Sequence, residues 1–182
     1  MGNTPSKYSF KVVLIGDDAV GKTCLVQRFT QSVFPKPLPG GTLGAGFTNK
    51  IVTVDDDEIN LQIWDTPGQE RYRPMIRNVY RSAHAVVLLY NITLQSGFDC
   101  LPELLSEIEQ CADGKVLKVL VGTKNDIKDE RKIPKSVGQN FADSNGFGYF
   151  VEVSALDGTN VDALFQEVAT RLRNEKKHCD KK

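Results

Sequence analysis

The sequence is short of several things, and each shortage removes a class of function. Its longest apolar run is Ala85–Tyr90, far below the roughly 18 residues that a membrane-spanning helix requires. No secretory apolar segment precedes it. Charge of one sign is not in excess: 23 Lys+Arg stand against 23 Asp+Glu in 182 residues. That balance argues against binding a nucleic-acid backbone by bulk charge. The four cysteines, Cys24, Cys100, Cys111 and Cys179, have neither CxxC nor zinc-like spacing, so they read as reduced cytosolic thiols rather than a disulfide framework. The two histidines, His84 and His178, have no nucleophile partner in sequence context. With 40% hydrophobic and 25% charged residues, the composition is that of an ordinary globular chain. One intracellular domain, acting as a monomer, is the expectation.

What is present is a series of short, β-branched apolar runs. Phe10–Ile15, Ala85–Tyr90, Val116–Val121 and Tyr149–Val153 read as strands buried on both faces. Helical candidates lie between them at Lys22–Gln31, Phe98–Ala112, Lys135–Ser144 and Asn160–Arg173. This alternation predicts a parallel sheet with helices on both faces. Phe47–Val54 and Ile59–Trp64 differ, because the acidic turn Asp55-Asp56-Asp57-Glu58 joins them into an antiparallel hairpin. The turn reads as a solvated hairpin tip in preference to a metal site. Residues 33–46, rich in Pro and Gly without an apolar period, form a long irregular loop.

The strongest chemical signal is Gly16-Asp17-Asp18-Ala19-Val20-Gly21-Lys22-Thr23, which follows a strand and opens a helix. In a GxxxxGK[ST] loop the glycines let backbone N–H groups turn toward phosphate oxygens. The helix N-terminus adds its positive end, Lys22 reaches the β/γ-phosphates, and Thr23 offers a hydroxyl to Mg²⁺. Alone, this specifies a nucleoside triphosphate and no particular base.

Three further segments narrow the choice. Thr123-Lys124-Asn125-Asp126 follows the VLKVLVG strand, whose carboxyl end is the ligand edge of an open α/β sheet. There the Asp126 carboxylate can accept both the N1–H and the exocyclic amine of guanine, and the Lys124 stem can cover the base. Ser154-Ala155-Leu156 ends the last strand, placing the Ala155 N–H to meet guanine O6. In Trp64-Asp65-Thr66-Pro67-Gly68-Gln69-Glu70, Asp65 would hold Mg²⁺, Gly68 N–H would touch the γ-phosphate, and Gln69 would orient the attacking water.

With these segments in place the sequence resembles a Ras-superfamily small GTPase from about Lys7 to Arg173, and within that superfamily it is most similar to the Rab branch. LQIWDTPGQERYR (Leu61–Arg73) and YRSAHAVVLLYNIT (Tyr80–Thr93) carry the Rab likeness. The AVGKT ending, the Thr of TKND and SAL are Rho-like details, but the short segment from Asp126 to Lys135 lacks a Rho insert.

The resemblance implies an α/β P-loop NTPase fold: a six-stranded, mostly parallel sheet with one antiparallel edge strand. It divides the chain into an N-terminal segment at 1–7, a GTPase domain at 8–174 and a basic tail at 175–182. Nucleotide contacts are implied for Asp18, Ala19, Val20, Gly21, Lys22, Thr23 and Cys24 in the phosphate loop, and for Gly68 opposite it. Around the base they are implied for Thr123, Lys124, Asp126, Ser154, Ala155 and Leu156, with Phe34 as the aromatic beside it. Thr42 is implied as the switch threonine that meets Mg²⁺ together with Thr23 and Asp65, and Gln69 and Lys22 as the catalytic groups. Residues 33–47 and 65–79 would be switches that meet an exchange factor, an activating protein and effectors. The cofactors implied are GTP or GDP and Mg²⁺. The activity implied is slow GTP hydrolysis, roughly 10⁻³ s⁻¹ or below unassisted, in vesicular trafficking at the cytoplasmic face of intracellular membranes.

Departures from the family pattern qualify this. Asp18 stands where Gly or Ser is usual. Beside a γ-phosphate, a like charge at roughly 6 Å costs about 3 kcal/mol at an effective dielectric near 20. Pointing to solvent, it does little. Pro67 replaces the usual alanine and restricts the second switch. Together these motivate an alternative, a GTP-holding binding module with impaired hydrolysis. The loop from Thr23 to Thr42 is about one residue longer than usual, so either Thr42 fills the switch position with a bulge or Gly41 takes its place. Phe47 and Trp64 match two members of an effector-facing aromatic triad or are core residues, and Val79 stands where a tyrosine is expected.

Membrane attachment is also atypical. Asp180-Lys181-Lys182 after Cys179 is a poor prenylation tail, whereas Met1-Gly2-Asn3-Thr4-Pro5-Ser6 fits N-myristoylation at Gly2 or is an unmodified polar tail. One acyl chain gives marginal binding. Lys176, Lys177, Lys181 and Lys182 either supply a second, electrostatic signal or form a solvated helix end.

Overall fold

The structure, a computed structural model, describes residues 6–35, 46–68, 78–112 and 114–180. Six strands form one sheet: β1 Tyr8–Gly16, β2 Gly46–Val54, β3 Asp57–Asp65, β4 Ala85–Asn91, β5 Leu117–Thr123 and β6 Tyr149–Glu152. Their order is β2-β3-β1-β4-β5-β6. All neighbours run parallel except β2 and β3, which pair antiparallel from Gly46↔Asp65 to Val54↔Asp57. The expected sheet and its antiparallel edge strand are therefore present. The central strands are apolar on both faces because helices cover both. On one face α1 (Lys22–Gln31) and the last helix, α5 (Val161–Cys179), pack together, with Phe29 and Phe165 stacked at 4.0 Å. On the other lie α2 (Gln95–Asp99), α3 (Leu101–Cys111) and α4 (Lys135–Ser144), burying Leu101, Leu104, Ile108 and Ala142.

Three details differ from the sequence reading. The single helix expected over Phe98–Ala112 is two, broken at Cys100, with Pro102 in the first turn of α3. Proline is at home there because first-turn N–H groups have no intrahelical acceptor. The last helix runs past Arg173 to Cys179, so most of the basic segment at 175–182 is helical. The acidic hairpin tip is not simply solvated. Asp57 is 9% exposed and takes Arg173 Nε at 2.7 Å, Lys177 Nζ at 2.8 Å and Lys7 Nζ at 3.1 Å, while Asp55 takes Arg173 Nη1 at 2.6 Å. Lys177, Arg173 and Lys7 together hold the Asp57 carboxyl well below the usual carboxylate range. Gln166 adds a hydrogen bond to the Thr53 carbonyl at 2.7 Å. The hairpin is thus clasped to the last helix, which explains the extra turns of that helix.

Candidate functional site

The parallel strands β1, β4, β5 and β6 all end on one edge of the sheet, and the loops that leave them carry the polar residues singled out above. After β1 the chain turns through Ala19, at φ 54°, and Gly21, at φ 101°. Gly21 opens α1, and a residue with a Cβ would be strained at that angle. Val20 is buried in the core and anchors the loop from beneath. Lys22 is 5% exposed, and its ammonium donates to the carbonyls of Gly16 and Asp17, each at 2.8 Å. Burial pushes it down to about 8, against the opposing pull of Asp65, Asp18 and Asp17. It is a buried cation held at the loop that surrounds it.

Next to it, the Thr23 hydroxyl donates to Asp65 Oδ2 at 2.5 Å. Asp65 ends β3 and is 6% exposed; burial raises its carboxyl, with Thr23 and Lys22 pulling the other way. Its second oxygen, Oδ1, is buried and has no hydrogen-bond partner among the described residues. A hydroxyl and an unsatisfied carboxylate oxygen side by side are hard donors that suit Mg²⁺, which binds through one or two protein groups plus phosphate oxygens. The residues present therefore fit the ion that the fold implies.

Gly68 lies against the phosphate loop so closely that a Cβ there would meet Asp17 O, Asp18 N and Asp18 Cα at 2.6 Å. Its backbone therefore lies against the loop, and only glycine allows that approach. Asp18 is exposed, and its Oδ1 accepts the Ala19 N–H at 3.0 Å. Pro67 is buried beside Ile15, Tyr80 and Leu104. Phe34 is 43% exposed. Gln69 and Thr42, with its alternative Gly41, lie outside the described residues, as do Gly2, Lys181 and Lys182.

The loops after β5 and β6 meet. Thr123, 4% exposed, donates its hydroxyl to the Val20 carbonyl at 2.8 Å, with the Tyr90 carbonyl at 3.1 Å. Ser154, fully buried, donates to Asp126 Oδ1 at 2.7 Å, which fixes one carboxylate oxygen. Lys124 adopts a left-handed φ of 61°. Cys24, on α1, is half-buried; burial is the main cause of its raised thiol value, and the nearby Lys124 opposes it.

Four residues that the sequence reading passed over belong to this edge. Arg28, on α1, donates through Nε to the Ala155 carbonyl at 2.6 Å and through its other nitrogens to the carbonyls of Leu156 and Ser32. Asn125 bonds Arg131, and Arg131 bonds Glu152. Glu152 was findable, being the lone carboxylate in the apolar run YFVEV, where a buried charge demands a partner. Arg28 and Arg131 carry no periodic or motif signal.

On the adjoining hairpin, Phe47 is half-exposed, tilted against Trp64 with ring centroids 5.2 Å apart, and Lys11 Nζ sits 4.8 Å from the Trp64 ring. Phe47 is therefore a surface aromatic, and Trp64 only packs against the core from outside.

A phosphate-loop strand–turn–helix, with its base-edge loops on the same sheet edge, defines a P-loop nucleotide-binding protein. Comparison makes that class specific. The profile of the Ras family matches residues 11–174. Ras-related protein Rab-30 of Homo sapiens is 47% identical over 168 residues, covering 92% of this chain and 82% of its own length. GTP-binding protein YPT1 of Saccharomyces cerevisiae is 40% identical over 94% of this chain and 82% of its own length. Ras-related protein Rab-26 of Rattus norvegicus is 42% identical over 95% of this chain and 68% of its own length. The chain belongs to the Ras family of small GTPases, in its Rab branch.

Proposed function

We propose that this GTPase binds GTP and GDP with Mg²⁺ along the carboxyl edge of its sheet, hydrolyses GTP slowly, and switches effector binding in vesicular membrane trafficking. One observation carries the reading: the Thr123 hydroxyl joins the TKND loop to Val20 of the phosphate loop. Base and phosphates would thereby be held by one connected framework. Asp126, steadied by Ser154, accepts the N1–H and exocyclic amine of guanine, and the Ala155 N–H meets O6. Leu156 and Phe34, both exposed, border the base.

At the other end the Lys22 ammonium exchanges the carbonyls of Gly16 and Asp17 for phosphate oxygens. Loop N–H groups and the N–H of Gly68, a residue whose backbone lies close against the loop, stabilise charge on the transferring phosphoryl group. Thr23 and Asp65, with Thr42, would hold Mg²⁺, which when bound offsets phosphate charge. Gln69 orients the attacking water. Residues 33–47 and 65–79 respond to the γ-phosphate and present the surface that an exchange factor, an activating protein and effectors read. The Rab-branch relatives support a place at the cytoplasmic face of intracellular membranes. No described helix is long and apolar enough to cross a membrane.

Acylation at Gly2 would supply attachment. Of the lysines offered as its electrostatic complement, the two described ones are paired, Lys177 with Asp57 and Lys176 with Asp180. Intact mass analysis of the protein from its own cells reports the acyl group directly.

The base assignment is tested by Asp126→Asn, which should move preference from guanine to xanthine nucleotides. Unchanged GTP affinity in that variant overturns it. A second reading, GTP occupancy with impaired hydrolysis, rests on the Asp18 carboxylate folded onto the Ala19 N–H, a donor that phosphate would otherwise take. Single-turnover hydrolysis with Asp18→Gly and Pro67→Ala decides between them. Acceleration of about tenfold or more in either variant favours impairment, and equal rates with full response to an activating protein remove it.

A further inference from the structure

Beside the base loop lies a polar network that none of these roles uses. Glu152 ends β6 at 4% exposure. Arg131 grips both its oxygens, Nη1 to Oε1 at 2.7 Å and Nη2 to Oε2 at 2.8 Å, and Nη1 also reaches the Ile133 carbonyl at 3.0 Å. The same Nη2 donates to Asn125 Oδ1 at 2.9 Å. Asn125 stands between Lys124 and Asp126, and its own N–H is taken by the Val153 carbonyl at 3.0 Å. The network has no slack: a Cβ at Gly122 would lie 3.1 Å from both Glu152 Cγ and the Tyr90 hydroxyl.

We infer that Arg131 is a positioning residue for guanine recognition, acting through Asn125 on the neighbouring Asp126 carboxylate. The inference rests on the assignment of Asp126 as the base acceptor. Lys124 holds φ 61°, a conformation that residues with a Cβ disfavour and that persists only where the flanking chain is fixed. Asn125 is that fixed flank, anchored through its backbone to β6 and through its side chain to Arg131. Accepting two parallel N–H donors demands a defined carboxylate plane, and Asp126 is one peptide unit from the anchor. Arginine suits this place because its planar fork serves Glu152 and Asn125 at once, which a lysine ammonium cannot reproduce.

The readout is the discrimination between GDP and inosine diphosphate, which lacks the exocyclic amine. Release of each nucleotide is measured for the full chain and for Arg131→Met, Arg131→Lys and Glu152→Gln, alongside thermal unfolding. Arg131→Met should release GDP about tenfold faster, the size expected for loss of a charge-assisted hydrogen bond, while inosine diphosphate release changes much less, so that discrimination narrows. Arg131→Lys, which keeps the charge for Glu152, should fall between, and Glu152→Gln should follow in the same direction. These two milder variants carry the test if Arg131→Met does not fold. Lower stability with unchanged discrimination overturns the positioning role. Asp126→Asn serves as the control: without a shift toward xanthine the base assignment falls, and this inference falls with it. A shift there, with discrimination intact in the Arg131 variants, overturns this inference alone.

Discussion

The Thr123 hydroxyl and the Val20 carbonyl, 103 residues apart in sequence, are bonded at 2.8 Å in the buried floor between two ligand loops. Without this bond the phosphate loop and the base loop would be positioned separately, each by its own strand. Thr123→Val keeps the shape and removes only the hydroxyl, leaving the Val20 carbonyl short of a donor. The expected cost is about 1–3 kcal/mol, read as a lower denaturation midpoint together with faster release of GDP. A stability loss with unaltered nucleotide release would show that the bond supports the fold alone.

Arg28 makes a second brace. Its three carbonyl contacts hold the Ala155–Leu156 turn to the end of α1, next to the segment that leads to Phe34. Arg28→Met keeps much of the aliphatic stem but none of these bonds, so GDP release should quicken by about tenfold, on the scale of a charge-assisted hydrogen bond. Stopped-flow release of a fluorescent GDP measures it, and Arg28→Lys should recover part of the loss.

His84 ties β1 to the start of β4 by accepting the Lys11 N–H through Nδ1 at 2.9 Å. Burial, with Lys11 and Lys176 nearby, holds its value below the usual 6.5. The unfolded chain therefore takes up this proton first. His84 costs no stability above pH about 6.5, and stability falls as pH drops from there toward the folded value. In His84→Gln that part of the pH dependence should vanish. Urea midpoints between pH 7 and 5, compared for the two proteins, check it.

The Asp57 clasp has a different window. Its folded value is depressed, chiefly by Lys177 and then by Arg173 and Lys7. Its contribution is whole above the unfolded value of about 4 and is lost as pH falls below that. Asp57→Asn should lower the thermal midpoint at neutral pH, and the gap to the parent should close in strong acid. A gap independent of pH would assign the effect to packing.

The fold was legible where apolar periodicity sets it: the buried parallel strands, the Asp55–Glu58 hairpin and most helices follow from short β-branched runs and turn residues. The break at Cys100 left a trace in Pro102, a residue suited to a helix start. The length of the last helix left none, because Arg173 and Lys177 find Asp55 and Asp57 across more than a hundred residues. At the site the motifs placed the ligand loops, since phosphate and guanine chemistry fix residue type and spacing. The arginines behind those loops were not legible: Arg28 bonds carbonyls, which every residue has, and Arg131 depends on a strand register that brings Glu152 beside it.

Because Lys7 and Lys177 both reach Asp57, the entry to β1 and the close of the last helix share one pole of the molecule, while the ligand loops crown the other. β1 alone, with 9 residues, spans about 30 Å between them. Asp57 thus gathers the first strand and the last helix on the side away from those loops. The described chain has a front and a back: the loops of the phosphate and base motifs at one, a single carboxylate clasp at the other.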